Sequence, residues 1–363
     1  MHHKNYTLPI YPVEKDVWDT ISSSQKPIVV YGMGNGADKL ISRFEKYNIT
    51  ISDFFASDGF VRGHHFHGMK VKSFSEIKET YEDFIIVLSF ASNREEVLTM
   101  LEEIDRGYEM YVPDMPVAGD EYFDREFYNA HYDEILSAYN SLDDDISRHI
   151  FAAVINYKLT GKMSYLMDAY VSKDELYREL NRTPIIRMID AGAYNGDTVR
   201  EAEQYFDGLG EVIAIEPDPR NFKKLQKYAE NSAVTVRPIN AAVWDRVGEG
   251  ELMSAGNRNS SISSTSSYKY KDTDVSLISI DSLSTNVDFI KYDVEGAEFF
   301  ALKGSSSTIE RCHPAMLVSV YHRSSDIFEI INYLKREYPF YKMFLRRLRC
   351  VPAWEIDLLL FDT

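Results

Sequence analysis

The chain has 363 residues, a length that favours two domains over a single core, and with 44% hydrophobic and 27% charged residues it has a globular composition. Its net charge of −17 argues against a nucleic acid partner and against anionic membrane surfaces, because both demand a basic face. Only two cysteines occur, Cys312 and Cys350, and no apolar run is long enough to cross a bilayer, so a cytoplasmic protein is expected.

In chain order, a short apolar strand at 28–31 runs into a turn holding Gly32, Gly34 and Gly36. A helix is predicted over 37–44, with Leu40, Ile41 and Phe44 on one face. Next come a strand at 49–55, a loop rich in Gly and His, a helix at 75–81, a strand at 84–90, a helix at 94–104 and a strand at 109–112. Strands alternating with helices imply a parallel sheet with crossover connections, and Pro113 and Pro116 close this Rossmann-like domain near residue 116. In its turn, Gly32, Gly34 and Ala37 satisfy G-x-G-x-x-A, and Asp58 follows Ala37 by 21 residues (58 − 37). That spacing suits a dinucleotide or a nucleotide sugar. His64, His65 and His67 have no carboxylate or cysteine partner at metal-binding spacing and read as an exposed loop.

Residues 117–182 read as a helical connector. The acidic run at 143–145 suits a helix start, Gly161 suits a stop, and Ile150, Phe151, Val154, Ile155 and Leu159 recur at helical spacing. The alternation of strands and helices resumes over 183–363, with strands at 185–190, 212–216, 234–240, 287–293 and 315–321 and helical patterns between them. The end differs: "YKMFLRR" and "WEIDLLLFD" are strand-like runs joined through Pro352 without a helix. A mostly parallel α/β sheet ending in an antiparallel hairpin is the layout of the class I methyltransferase fold, which is Rossmann-like. The polar stretch 256–272 reads as a lid over the crevice, with Ser260 and Ser261 nearest the acceptor.

The strand at 185–190 leads into "DAGAYNGD", a glycine-bearing turn that opens a helix. With Gly192 as the first glycine, the place of the second is taken by Tyr194, which would crowd a pyrophosphate. Asp190 at the strand end repels phosphate but suits a cationic amino acid group. S-adenosylmethionine carries that group and a sulfonium, and no phosphate. Asn195, Gly196, Asp197 and Thr198 complete the turn and begin the helix. Glu216, placed 20 residues after Gly196 (216 − 196) and before Pro217, can accept both ribose hydroxyls. Asn240 and Ala241, after the third strand, are placed to meet the adenine. Singly, each has a plain structural alternative, a tight turn, a helix cap or a solvated side chain. In order, they trace the amino acid, ribose and base of one ligand.

These residues also resemble a known family. "DAGAYNGDT", "AIEPDPRNF", "NAAVWD", "FIKYDVEGAE" and "MLVSVYH" are similar, in order and spacing, to the FkbM family of S-adenosylmethionine-dependent methyltransferases, over about 185–361. The preceding "YNSLDDDISRHIFAAVINYKLTGKMSYL" is similar to the helical lead-in of many members. The resemblance implies S-adenosylmethionine as cofactor and O-methylation of a hydroxyl on a sugar, a glycan precursor or a secondary metabolite.

Such a transfer requires an aligned acceptor oxygen and gains from a general base. His322 is the expected base, because its ordinary pKa suits proton abstraction at neutral pH. Asp293 is placed near the donor's methionine end, Glu295 orients the site, and Glu298 reads as a helix N-terminal carboxylate. No spacing carries a metal signature, so no metal is expected. The N-terminal turn remains open between nucleotide binding and a packing or assembly role, and a homo-oligomer is compatible with either. Rival readings are an oxidoreductase using a nicotinamide cofactor or nucleotide sugar at that turn, and a ligand-sensing protein without turnover.

Overall fold

The computed structural model describes residues 6–61, 63–254, 260–262 and 273–362. After helix α1 (Val17–Ser22), the first half runs β1 (Ile28–Tyr31), α2 (Asn35–Lys46), β2 (Asp53–Ala56), β3 (His65–Phe66), β4 (Met69–Lys70), β5 (Lys72–Ser73), α3 (Phe74–Thr80), β6 (Ile85–Leu88), α4 (Glu95–Gly107) and β7 (Glu109–Tyr111). Its five-stranded sheet has the order β5-β2-β1-β6-β7 and is parallel throughout. Strands β1 and β6 are buried along their whole length, which is why they are apolar without alternation. The His-rich segment forms the small antiparallel ribbon β3–β4.

Five helices follow, α5 (Arg125–Ala130), α6 (Tyr132–Ser141), α7 (Asp145–Thr160), α8 (Ser164–Met167) and α9 (Lys173–Leu180). The side chain of Asp144 accepts from the Ser147 N–H to start α7, and Gly161 ends it in the left-handed conformation at φ 63°. Among the described residues no helix is long and apolar enough to cross a membrane.

The second half runs β8 (Arg187–Ala191), α10 (Asp197–Tyr205), β9 (Glu211–Ile215), α11 (Pro219–Ala229), β10 (Thr235–Ile239), β11 (Ala242–Val243), β12 (Gly248–Ser254), β13 (Ser260–Ile262), β14 (Thr273–Ile278), β15 (Phe289–Tyr292), α12 (Glu298–Lys303), α13 (Ser306–Cys312), β16 (Ala315–Ser319), α14 (Asp326–Glu337), β17 (Tyr341–Arg347) and β18 (Ile356–Asp362). Its seven-stranded sheet has the order β10-β9-β8-β15-β16-β18-β17. Only β18 runs against its neighbours, inserted between β16 and β17. This is the class I methyltransferase arrangement, with the antiparallel hairpin at one edge.

One expectation fails between β10 and β15. Among the described residues no α-helix lies there; instead β11, β14, β12 and β13 make a small separate sheet. The period is two: buried Val275 and Leu277 alternate with exposed Asp274 and Ser276. Most of the expected lid, 256–272, lies outside the described residues. Ser260 and Ser261 belong to β13, which the strand order places at the opposite edge of this sheet from β11.

Apolar packing is continuous from Val29 and Leu88 through Phe151 of α7 to Tyr292 and Leu358. At the edge of the second sheet the connector is tied by charge. The buried Arg346 guanidinium donates to Asp144 at 2.7 Å and to Glu179 at 2.8 Å, joining α7 and α9 to β17. Arg346→Met should therefore cost on the order of 3 kcal/mol in urea unfolding, because two carboxylates lose their shared partner. A loss within experimental error would mean that the apolar contacts alone seat the connector.

Candidate functional site

The carboxyl ends of β8, β9, β10 and β15 and the residues just after β16 surround a cavity of about 430 Å³. Gly192 lines it where two strand ends meet. A Cβ there would lie 1.8 Å from the Asp293 carbonyl oxygen, and φ is +88°, so only glycine lets the turn after β8 touch the end of β15. The N–H groups of Gly192 and Ala193 both donate to the Ile215 carbonyl, which fixes the turn against β9.

Glu216 accepts from the Tyr194 N–H through Oε2 and from the Asp218 N–H through Oε1, each at 2.9 Å. Burial pushes its carboxyl up to about 7, against the opposing pull of those two N–H groups. Tyr194, Asn195, Asp197, Thr198, Pro217 and Ala241 line the same cavity. Three of the expected binding residues do not line it. Gly196 backs onto the Tyr228 ring, where it starts α10 at φ +85°. Asn240 donates from Nδ2 to the carbonyls of Glu216 and Pro217, so it braces the loop from behind. Asp190 is fully buried beneath the turn, and neither of its oxygens has a hydrogen-bond partner. Burial pushes its carboxyl up to about 7, with Lys291 opposing at 3.8 Å. Lys291, and not Asp190, presents its side chain to the cavity.

The other end of the cavity holds the acid–histidine cluster. Strand β15 stops at Tyr292, and Glu295 takes φ +55°, so the chain turns and both Asp293 and Glu295 reach the cavity. His322 Nδ1 lies 2.9 Å from Glu298 Oε1, and its Nε2 lies 3.5 Å from both Asp293 Oδ1 and Glu295 Oε2. Burial alone would push the imidazole down, but Glu298, Glu295 and Asp293 outweigh it and raise the pKa to about 10. The surrounding carboxylates thus favour the imidazolium, the form with no free lone pair for a proton. That environment weighs against His322 as the base expected from the sequence.

Glu295 is the better-poised group, since burial raises its carboxyl to about 7 against the pull of His322. Asp293 is opposite in character. Burial raises it, but Lys291 at 3.1 Å and His322 bring it below its ordinary value. Glu298 stands in the first turn of α12, as expected, but it is fully buried and accepts from the Val294 N–H at 2.8 Å. Asp293, Glu298 and His322 each offer a ligand atom within 4.8 Å of the others. However, Asp293 approaches Nε2 and Glu298 approaches Nδ1, on opposite sides of the ring. That geometry suits an imidazolium among carboxylates, not one cation bound by all three.

Strain also gathers here. Tyr194, Glu295 and Glu355, three of the seven described non-glycine residues with positive φ, all line this cavity. Such backbone costs of order 1–3 kcal/mol each and tends to be kept where a site demands it. Elsewhere, the N-terminal turn is tight: Gly32 and Gly34 have φ +114° and +103°, and Ala37 is buried. The Asp58 carboxylate accepts from the N–H and hydroxyl of Ser75 in the first turn of α3. Lys39 of α2 donates to the Pro116 carbonyl at 3.0 Å, and the next residue, Val117, lines the cavity.

The chain segment that carries this geometry, residues 190–340, matches the family model described as the methyltransferase FkbM domain. Residues 190–340 are an FkbM methyltransferase domain. Among solved structures, the chain is similar to methyltransferase FkbM from Methylobacillus flagellatus KT, with a TM-score of 0.71 at 19% identity over 98% of this chain and 94% of that one. A methyltransferase from Streptococcus mutans in complex with SAH aligns at 11% identity over 53% of this chain and 99% of that one, with a TM-score of 0.35. An rRNA methylase from Streptococcus thermophilus aligns at 10% identity over 52% and 94%, with a TM-score of 0.34. No curated sequence matches the chain.

The FkbM domain does not hold the whole cavity wall. Val117 comes from before it, and Trp354 and Glu355 from after it. The Ala118 N–H donates to the His322 carbonyl at 2.8 Å, which seats the start of the connector on the cluster. Sequence reading passed over Val117, Tyr321, Trp354 and Glu355, which carry no local signal. Lys291 did carry one, as a lone charge inside the apolar strand "FIKY".

Proposed function

We propose that the FkbM domain transfers a methyl group from S-adenosylmethionine to a hydroxyl of a sugar-like or other small-molecule acceptor. The observation that carries this reading is the cavity's acidic lining, which runs from Glu216 to Glu295 along one rim of strand ends. The residues fit the donor. Glu216 is buried and lines the cavity while its oxygens hold the Tyr194 and Asp218 N–H groups, Gly192 lets the turn close on the end of β15, and the carboxylates favour a sulfonium and an ammonium over a phosphate. Glu216 would hold the ribose hydroxyls, Ala241 would meet the adenine, and the segment 192–198 would hold the methionine end.

When bound, the donor supplies an electrophilic methyl carbon. The chain's own residues do the rest. The ionised Glu295 carboxylate would take the proton of the acceptor hydroxyl as that oxygen is methylated. His322, as the imidazolium, orients Glu295 and balances Asp293 and Glu298.

Glu216→Ala tests the donor assignment. Calorimetry should show donor affinity weakened by about 1–3 kcal/mol, the loss expected for a hydrogen-bonding carboxylate. Unchanged affinity in a folded variant would sink the placement of the ribose, and absence of donor binding in the unaltered protein would sink the cofactor.

A further inference from the structure

The donor proposed for the cavity carries two opposite charges at its amino acid end, an ammonium and a carboxylate. The lining acids Asp197, Glu216, Asp293, Glu295 and Glu355 suit the ammonium and the sulfonium, and they repel the carboxylate. Among the described residues, the lining offers two side chains that can answer that carboxylate with positive charge, Lys291 and His322. His322 is committed, with Glu298 at Nδ1 and with Asp293 and Glu295 at Nε2. Lys291 is not.

Lys291 stands in β15 in register with Asp190 of β8, and these are the two strands whose ends meet at Gly192. It lies two residues before Asp293, and both side chains line the cavity. An ammonium has three N–H donors. One reaches Asp293 Oδ2 at 3.1 Å, whereas Asp190 Oδ1, at 3.8 Å, is beyond hydrogen-bond range. Two N–H groups are left without a protein acceptor, on a side chain that is 12% exposed. Burial works against the charge, but Asp293 and Asp190 outweigh it, so the group stays an ammonium.

A purely structural role would have Lys291 neutralise Asp293 and Asp190 and touch no ligand. That role leaves two N–H groups idle, where buried polar groups ordinarily find partners. Resting on the methyltransferase reading above, we propose that Lys291 binds the α-carboxylate of the donor's methionine end. Asp293, held by the same ammonium, then faces the donor's α-ammonium, so the pair matches both charges of the amino acid. The contact favours ligands that keep this carboxylate over nucleoside-type ligands that lack it.

The test compares two ligands on the full chain by calorimetry: S-adenosylhomocysteine and its decarboxylated analogue, which keeps the ammonium and the thioether. The unaltered chain should bind S-adenosylhomocysteine about 10–100-fold more tightly, the range for a hydrogen bond between charged groups. In Lys291→Met that preference should shrink to within about threefold, because only S-adenosylhomocysteine loses a contact. Removing one partner of a buried ion pair can unfold a chain, so Lys291→Gln, which stays polar beside Asp190 and Asp293, is measured in parallel with the same result expected. A lysine with a structural role alone would weaken both ligands alike and leave the preference intact. Equal binding of the two ligands by the unaltered chain, or a preference that survives loss of the lysine in a folded variant, would overturn the proposal. If neither ligand bound the unaltered chain, the donor reading would fall, and the proposal with it.

Discussion

Glu295→Gln should lower turnover about 10²–10⁴-fold while donor affinity, read by calorimetry, stays within a few-fold. Glutamine keeps the shape and loses the proton acceptor. The pH dependence gives a second handle. With its carboxyl raised to about 7, Glu295 is protonated and inactive below that value and ionised above it. The unaltered enzyme's rate should thus rise through pH ~7 to a plateau, and the variant should lack this limb. His322 opposes the rise in the Glu295 pKa, so His322→Gln should move the limb to higher pH rather than remove it. If the limb vanished in His322→Gln and persisted in Glu295→Gln, histidine would be the base after all. Near-normal turnover in both variants would leave alignment of the acceptor as the whole of the catalysis.

Gly192→Ala should be the most damaging single methyl in the domain. Its Cβ would press 1.8 Å from the Asp293 carbonyl, so β8's turn and β15's end must separate. Overpacking of about 1–3 kcal/mol, added to about 1–2 kcal/mol for a left-handed alanine, predicts a loss of roughly 2–5 kcal/mol in urea unfolding. The thermal shift on adding donor should vanish with it, because Asp293 and the turn form the same wall. Gly34→Ala is the control. It too has positive φ, at +103° with ψ −159°, but its Cβ would meet nothing within 4 Å, so only the conformational term of about 1–3 kcal/mol applies. Equal losses at the two glycines would show that backbone strain, and not the close approach, governs Gly192.

The fold was readable from the chain because its signals are local. The apolar runs at 28–31 and 185–190, the glycine turns after them, and the helixless pair "YKMFLRR" and "WEIDLLLFD" each report on a few neighbouring residues. Alternation of strand and helix then limits the topology to a mostly parallel sheet. The same locality made Gly192 and Glu216 legible, since a turn and a strand end define them. It failed between β10 and β15, where the period-two pattern of "DVSLIS" is short and follows a long polar stretch. Protonation and exposure at the site were decided elsewhere. The charge on His322 depends on Glu298, Glu295 and Asp293, which reach it from a different strand end, and on burial under the connector at Ala118. Asp190 and Asn240 sit at the expected strand ends, yet they point under the rim and not into it. Coulomb energy and solvent access depend on distances in space, so spacing along the chain named the charged groups, and only the packed structure determined which of them could hold a ligand or take a proton.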